Sequence, residues 1–288
     1  MLSAWSYVRH HCTVLWNRGY VFRWWMTRAS PWIPQKIDPP LPQVEPIAAP
    51  PVPPFAQYQQ IYAEDMDQAL DPAMTLLLFL DTETTLRGFD ILEIGQCAKV
   101  YEASTSTWSD LDAPFTIMIR PSSLVHLGTH IHGITEEMVG TKGVPFREAL
   151  EQWLEATRRV ILSGNRPYVC LVAHNGIAFD LRHLAAQCYR CDLSSLYQRL
   201  KDTGVTHILD TLTVLRRYRK RGRNSLQSLA EQLGITDPPH RALGDAQILA
   251  QVTTHSVMRQ VFVNDQGHLR GVCGIDGLEE YWKRKKAS

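Results

Sequence analysis

Residues 74–85 read MTLLLFLDTETT, an apolar run closed by two carboxylates, Asp81 and Glu83, set two positions apart. A short continuous apolar run predicts a strand buried on both faces. Side chains alternate along a strand, so Asp81 and Glu83 point to the same side. A buried strand that delivers paired acids at its end offers a place for hard divalent cations.

The chain on either side continues as an α/β pattern. ILEIGQCAKVYE (91–102) and FTIMIRP (115–121) read as two further strands. VPFREALEQWLEATRRVIL (144–162) has helical apolar spacing, and YVCLVAH (168–174) is again a buried strand. FDLRHLAAQCYR (179–190) places Leu181, Leu184 and Cys188 on one helical face. HILDTLTVLRRY (207–218) runs from strand into helix, with Asp210 as a helix cap. Ser225 is the expected N-cap of LQSLAEQL, Gly234 its end, and a last helix is expected from about Ala242 to Val261. Two more acids fall at expected helix starts: Asp180 after HNGIAF and Asp245 in HRALGDA, with His240 in the loop before it.

Composition narrows the classes. The 30 basic and 29 acidic residues leave a net charge of +1, which excludes a uniformly basic nucleic-acid coat, so any polyanion contact must be local. One local patch is RRYRKRGR (216–223), read as a strand-binding flap through Arg219, Lys220 and Arg221 or as a solvated helix end. The six cysteines show no paired framework and suit a reducing compartment. Cys188 and Cys191 form a CxxC without a second zinc pair and are read as thiols.

Ten of the 17 prolines lie between Pro31 and Pro54, which predicts an extended linker. Ahead of it, residues 1–37 contain no Asp or Glu but carry Arg9, Arg18, Arg23 and Arg28. Leu2, Trp5, Val8, Cys12 and Leu15 recur at helical spacing, as in a mitochondrial presequence or a membrane-surface segment. The arginines interrupt every apolar run, so no transmembrane segment is expected. The expected layout is residues 1–30 as a candidate targeting or membrane-surface segment, 31–60 as a Pro-rich linker, 74–262 as the α/β domain and 263–288 as an extension with a basic tail. Location is expected to be intracellular, mitochondrial if residues 1–30 act as a presequence, with a nuclear alternative through the terminal KRKK.

Taken together, DTE, HNGIAFD and HRALGDA resemble the three exonuclease motifs of the DEDD superfamily, in its DnaQ-like branch with a catalytic histidine. HNGIAFD holds three residues between Asn175 and Phe179, one more than the usual proofreading-subunit form, and in this it is similar to the three-prime repair exonucleases. The resemblance implies a ribonuclease H-like exonuclease fold, a mixed five-stranded sheet flanked by helices with the second strand antiparallel. It also implies stepwise removal of nucleoside monophosphates from a three-prime end. Asp81, Glu83, Asp180 and Asp245 would hold two Mg²⁺ ions, or Mn²⁺, and His240 would take a proton from the attacking water, a role suited to imidazole. Thr84, Thr85, Leu86, His132 and Asn175 are the expected substrate contacts. The implied partner is nucleic acid, single-stranded or frayed three-prime ends, with DNA favoured over RNA; a homodimer is compatible with the reading. An exoribonuclease of the same fold and an inactive nucleic-acid-binding module are the alternatives.

Overall fold

The computed structural model describes residues 68–86, 90–111, 114–124, 126–219, 222–236 and 240–276. The amino-terminal segment, the proline-rich linker, Lys220, Arg221 and the KRKK tail lie outside the described residues. Among those described, no helix is long and apolar enough to cross a membrane.

The MTLLLFLDTETT run forms β1 (Thr75–Thr84), and Leu76 through Leu80 are fully buried. Burial on both faces explains the absence of polar alternation, since each side packs against a helical layer. β1 lies between β2 (Ile91–Glu102), to which it is antiparallel, and β5 (Tyr168–Ala173), to which it is parallel. β6 (His207–Asp210) continues the parallel side beyond β5. β4 (Phe115–Met118) pairs antiparallel with β2. These are the five expected strands, with the second antiparallel as expected.

The sheet is larger than that, with seven strands. β3 (Thr107–Asp110) pairs with the far end of β2, and β7 (Val272–Gly274) pairs antiparallel with β6. Both additions are too short to leave an apolar pattern of their own. β7 belongs to the stretch expected as a carboxy-terminal extension, yet Val272 and Cys273 are buried against the core.

The two faces of β2 show how the helical layers are set. Gln96 accepts hydrogen bonds from Trp153 Nε1 at 2.8 Å and Thr157 Oγ1 at 3.0 Å, both on α3 (Phe146–Gly164). The same layer holds α4 (Asp180–Arg190), whose Gln187 side chain accepts from Ile91 N at 2.8 Å, and α5 (Leu196–Thr203). On the other face, Gly95 lies against the start of α8 (Ala242–Thr254), and Cys97 reaches the Ala246 carbonyl at 3.5 Å. Two short helices, α1 (Thr129–His132) and α2 (Glu136–Lys142), lie between β4 and α3 in the chain.

After β6 the chain turns at once into α6 (Thr211–Tyr218), and Asp210 caps it by accepting from Leu212 N and Thr213 N. α7 (Leu226–Leu233) begins at Ser225, whose hydroxyl accepts from Ser228 N, and ends at Gly234 in the left-handed region, as expected. The expected helix from Ala242 to Val261 is interrupted. His255 leaves the helical conformation and its side chain accepts from Val257 N, so a 3-10 turn (Ser256–Met258) separates α8 from α9 (Arg259–Phe262). The apolar spacing runs on through this break, which is why it reads as one helix. All five described cysteines are free thiols; burial pushes Cys188 of the CxxC up to about 12, which leaves it a weak nucleophile.

Gly95 lies tight against the start of α8: a Cβ there would stand 2.2 Å from the Ala242 carbonyl carbon and from Leu243 N. Both are backbone atoms, so α8 itself must move to admit a side chain. Gly95→Ala is therefore expected to lower stability by about 1–3 kcal/mol or more. Urea denaturation measures this, and an unchanged midpoint would contradict the packing.

Candidate active site

Antiparallel pairing decides which side chains share a face. Asp81 stands opposite Gly95 and Glu83 opposite Glu93, so three carboxylates point toward the start of α8, where Gly95 leaves room for close approach. Asp245, in the first turn of that helix, completes a cluster: carboxylate oxygens of Asp81, Glu83 and Asp245 all lie within 4.8 Å of one another. His240 comes from the segment leading into α8, and its backbone N–H donates to Asp245 Oδ2 at 3.3 Å. His240, Asp81 and Asp245 line one cavity of about 310 Å³.

Asp180 arrives from the other layer. It opens α4 and is almost fully buried, and Thr82, on the opposite face of β1 from its neighbours, donates to its Oδ1 at 2.6 Å. It is therefore outside the three-carboxylate cluster but beside Asp81, with which it lines a second cavity of about 490 Å³. Asp81, His174 and Leu226 border both cavities.

The cluster is electrostatically strained. Burial, then the charges of Asp180, Asp245, Glu83 and Glu93, hold the Asp81 carboxyl well above the usual carboxylate range. Burial followed by Asp245, Glu93 and Asp180 pushes Glu83 up to about 7, against a smaller opposing pull from Arg241. Burial pushes Asp180 up to about 7 despite the Thr82 hydroxyl, and also raises Asp245. Such uncompensated negative charge is what a hard divalent cation would relieve, and oxygen donors are the ligands such a cation takes.

The remaining expected contacts divide. Leu86 is exposed, resting on Gly128 with its N–H donating to His126 O at 2.9 Å, and Thr84 ends β1 beyond a bulge. Thr85 is buried, and its hydroxyl accepts from Asp90 N at 3.3 Å to close the turn into β2. His132 is buried too: Nε2 meets Leu127 O at 2.8 Å and Nδ1 accepts from Ile134 N at 3.1 Å, so both ring nitrogens hold their own loop. Asn175 lines the larger cavity in a left-handed conformation, φ 63°. The Arg219 guanidinium donates to Arg223 O, Asn224 Oδ1 and Gln232 Oε1, which ties it into its own loop; Arg216, of the same basic run, lines the larger cavity.

Three features escape a reading of the sequence alone. Asp210 does more than cap α6: it also accepts from Asn175 N at 3.1 Å and Ile177 N at 3.2 Å, fastening the turn that leads to Asp180. His174 Nδ1 meets Thr211 Oγ1 at 3.0 Å, and burial pushes the ring down to about 4. Glu93 accepts from Arg241 Nε at 2.9 Å, from the Arg241 NH2 group and from Ala242 N at 3.1 Å. Of these, only Asp210 left a local signal, the cap before a helix.

Comparison with known proteins identifies the family and the fold. The exonuclease family RNase_T matches residues 78–253. The exonuclease DPD1, chloroplastic/mitochondrial, of Arabidopsis thaliana is 30% identical over 214 residues, covering 70% of this chain and 61% of that protein. DNA polymerase III subunit epsilon of Pasteurella multocida is 30% identical over 190 residues, covering 62% of this chain and 66% of its own length. The chain thus matches a little under two thirds of each relative's length. Among solved structures, a full-length 3'-exonuclease superposes with a TM-score of 0.52 at 18% identity, covering 71% of this chain and 68% of that one. A 3'-exonuclease that recognises the histone mRNA stem-loop gives 0.50 at 18% identity, covering 67% and 84%. The fold is that of the ribonuclease H-like exonucleases, and the strand-borne acid pair with its helix-borne partners falls inside the matched segment. This chain belongs to the RNase_T exonuclease family.

Proposed function

We propose that the protein is a metal-dependent 3'–5' exonuclease that releases nucleoside monophosphates from DNA ends. The observation that carries the reading is the convergence of Asp81, Glu83 and Asp245 within 4.8 Å, with His240 on the same cavity. Asp81, Glu83, Asp180 and Asp245 would hold two Mg²⁺ or Mn²⁺ ions. Bound there, the ions would lower the pKa of a water and neutralise charge on the scissile phosphate. His240 is exposed, lines the cavity with Asp81 and Asp245, and donates to Asp245 through its backbone N–H, which leaves its ring available for proton transfer. It would take the proton of the attacking water.

Around this centre, exposed Leu86 offers an apolar surface to a terminal nucleotide, and Asn175 and Arg216 border the larger cavity beside Asp81. The buried positions of Thr85 and His132 favour roles in shaping these loops over direct contact. DNA is favoured because a relative at 30% identity is a DNA polymerase subunit, whereas the RNA-recognising structure is similar at only 18%. The acid-free residues 1–37, together with the chloroplastic/mitochondrial designation of the plant relative, favour delivery to an organelle.

With purified protein and five-prime-labelled single-stranded DNA, Mg²⁺ or Mn²⁺ is expected to give a ladder shortening from the three-prime end, and EDTA to abolish it. His240→Ala is expected to reduce the rate about 10²–10⁴-fold and Asp81→Ala to leave none measurable. Activity that persists in Asp81→Ala would place the chemistry elsewhere; RNA cut faster than DNA under the same conditions would reverse the substrate assignment.

The raised carboxyls set two pH dependences. Cations bind only the deprotonated site, so Mn²⁺ affinity is expected to fall as pH drops through about 7, where Glu83 and Asp180 take up protons, well above the usual carboxylate range near 4. Without metal the sign reverses. Between about 4 and 7 the native state keeps protons that the unfolded chain has lost, so these groups reduce stability as pH rises through that window. Glu83→Gln removes one such group. Its melting temperature in EDTA, relative to the parent, is expected to be higher at about pH 8 than at about pH 5; a pH-independent difference would contradict the assigned shift.

A further inference from the structure

Glu93 is buried on β2 directly opposite Glu83, yet the two-metal reading gives it no part. Its oxygens are instead taken up by one short segment. Arg241 donates to both of them in a fork, through Nε at 2.9 Å and its NH2 group, and Ala242 N donates at 3.1 Å. Thr116 Oγ1 adds a longer contact at 3.4 Å. Arg241 is the N-cap residue of α8, and its side chain cannot accept a hydrogen bond from the helix's first amides. Glu93 supplies that acceptor from the neighbouring strand, and its negative charge suits the helix amino terminus.

The same residue joins the two groups on which the chemistry depends. Arg241 follows His240 directly, and its carbonyl accepts from Asp245 N at 2.9 Å. The His240 N–H closes the loop on Asp245 Oδ2 at 3.3 Å. His240 sits at φ 71°, a conformation that requires a fixed neighbour to hold it. Gly95, two residues along β2 from Glu93, lets the helix start lie against the strand.

We infer that the Glu93–Arg241 pair is a positioning latch, which sets the place of His240 and the facing of Asp245 toward Asp81 and Glu83. The inference rests on the exonuclease reading only for what His240 and Asp245 do. A cation beside an expected phosphate site could instead be a substrate contact, because the Arg241 side chain is 44% exposed. The bidentate engagement of a buried carboxylate argues against that role: the fork already has its planar partner.

The test compares the full chain with Arg241→Ala, Glu93→Gln, His240→Ala and the Arg241→Ala/His240→Ala double variant. It measures kcat and KM on single-stranded DNA with Mg²⁺, and Mn²⁺ affinity by calorimetry. Arg241→Ala is expected to lower kcat and Mn²⁺ affinity by about 10–100-fold each, with KM little changed, as for other residues that orient metal ligands. Added to His240→Ala it should cost kcat far less than it does alone, because the two act as a unit. A raised KM with unchanged kcat would make Arg241 a phosphate contact and overturn the latch, as would losses that simply multiply. Should Arg241→Ala not fold, Glu93→Gln decides. It keeps an acceptor for Ala242 N but loosens the fork, so a kcat loss that nearly disappears when combined with His240→Ala supports the latch, and an unchanged kcat or losses that multiply overturn it. If the unsubstituted chain cuts no nucleic acid, the exonuclease reading falls alone, and the Mn²⁺ affinities of the same variants still score the latch.

Discussion

Like charge held out of water is the constraint around which this structure is arranged. Burial raises the carboxyls of Asp81, Glu83, Asp180 and Asp245, the charges of Asp180 and Asp245 raise Asp81 and Glu83 further, and in an unconstrained chain the four would separate into solvent. What prevents this is the strand that carries two of them. β1 is hydrogen-bonded on both sides, and its apolar residues Leu76 through Leu80 are fully buried, so its end cannot retreat without opening the sheet. The apolar half of a single segment restrains the acidic half.

The other two acids stand on helices, and each approach is secured by a further buried carboxylate. Asp210 gathers backbone N–H groups from Asn175 and Ile177 as well as its own helix, holding the turn before Asp180. Glu93 holds the segment before Asp245 through a guanidinium and one amide. The electrostatic solutions differ. Asp210 is surrounded by neutral donors and burial raises it to about 6, whereas Glu93 has a full positive charge beside it. Arg241 thereby introduces a cation into the acidic region, and it is the group that lowers Glu83 against the surrounding carboxylates.

The parts legible in sequence were those with local periodicity. Asp81 and Glu83 could be assigned to one side of a strand because the period of two is independent of context. Leu181, Leu184 and Cys188 follow the helical period in the same way, and all three are buried. Asp180 and Asp245 required the resemblance, since nothing local says that Thr82 will meet a residue 98 positions away. Thr85 and His132 show what segment position alone leaves out. They lie in segments that approach the site, but burial and hydrogen bonding within their own loops turn their polar atoms inward. Glu93 reads as one charge in an apolar strand until the register sets it opposite Glu83 and the packing at Gly95 brings Arg241 across. β3, β7 and the break at His255 were hidden for a different reason: each depends on a few residues, fewer than one period of a reliable pattern.

Asn175 and His240 share a backbone state, with φ 63° and 71°, that side chains other than glycine enter at a cost of about 1–3 kcal/mol, less for asparagine. One precedes Asp180 and the other precedes Asp245. Glycine would fit both places with less strain, so improvement of thermal stability alone would tend to erase the side chains that border the acidic centre. Thermostability and retention of these side chains therefore pull the two positions in opposite directions, and a screen for heat resistance alone would tend to replace both with glycine.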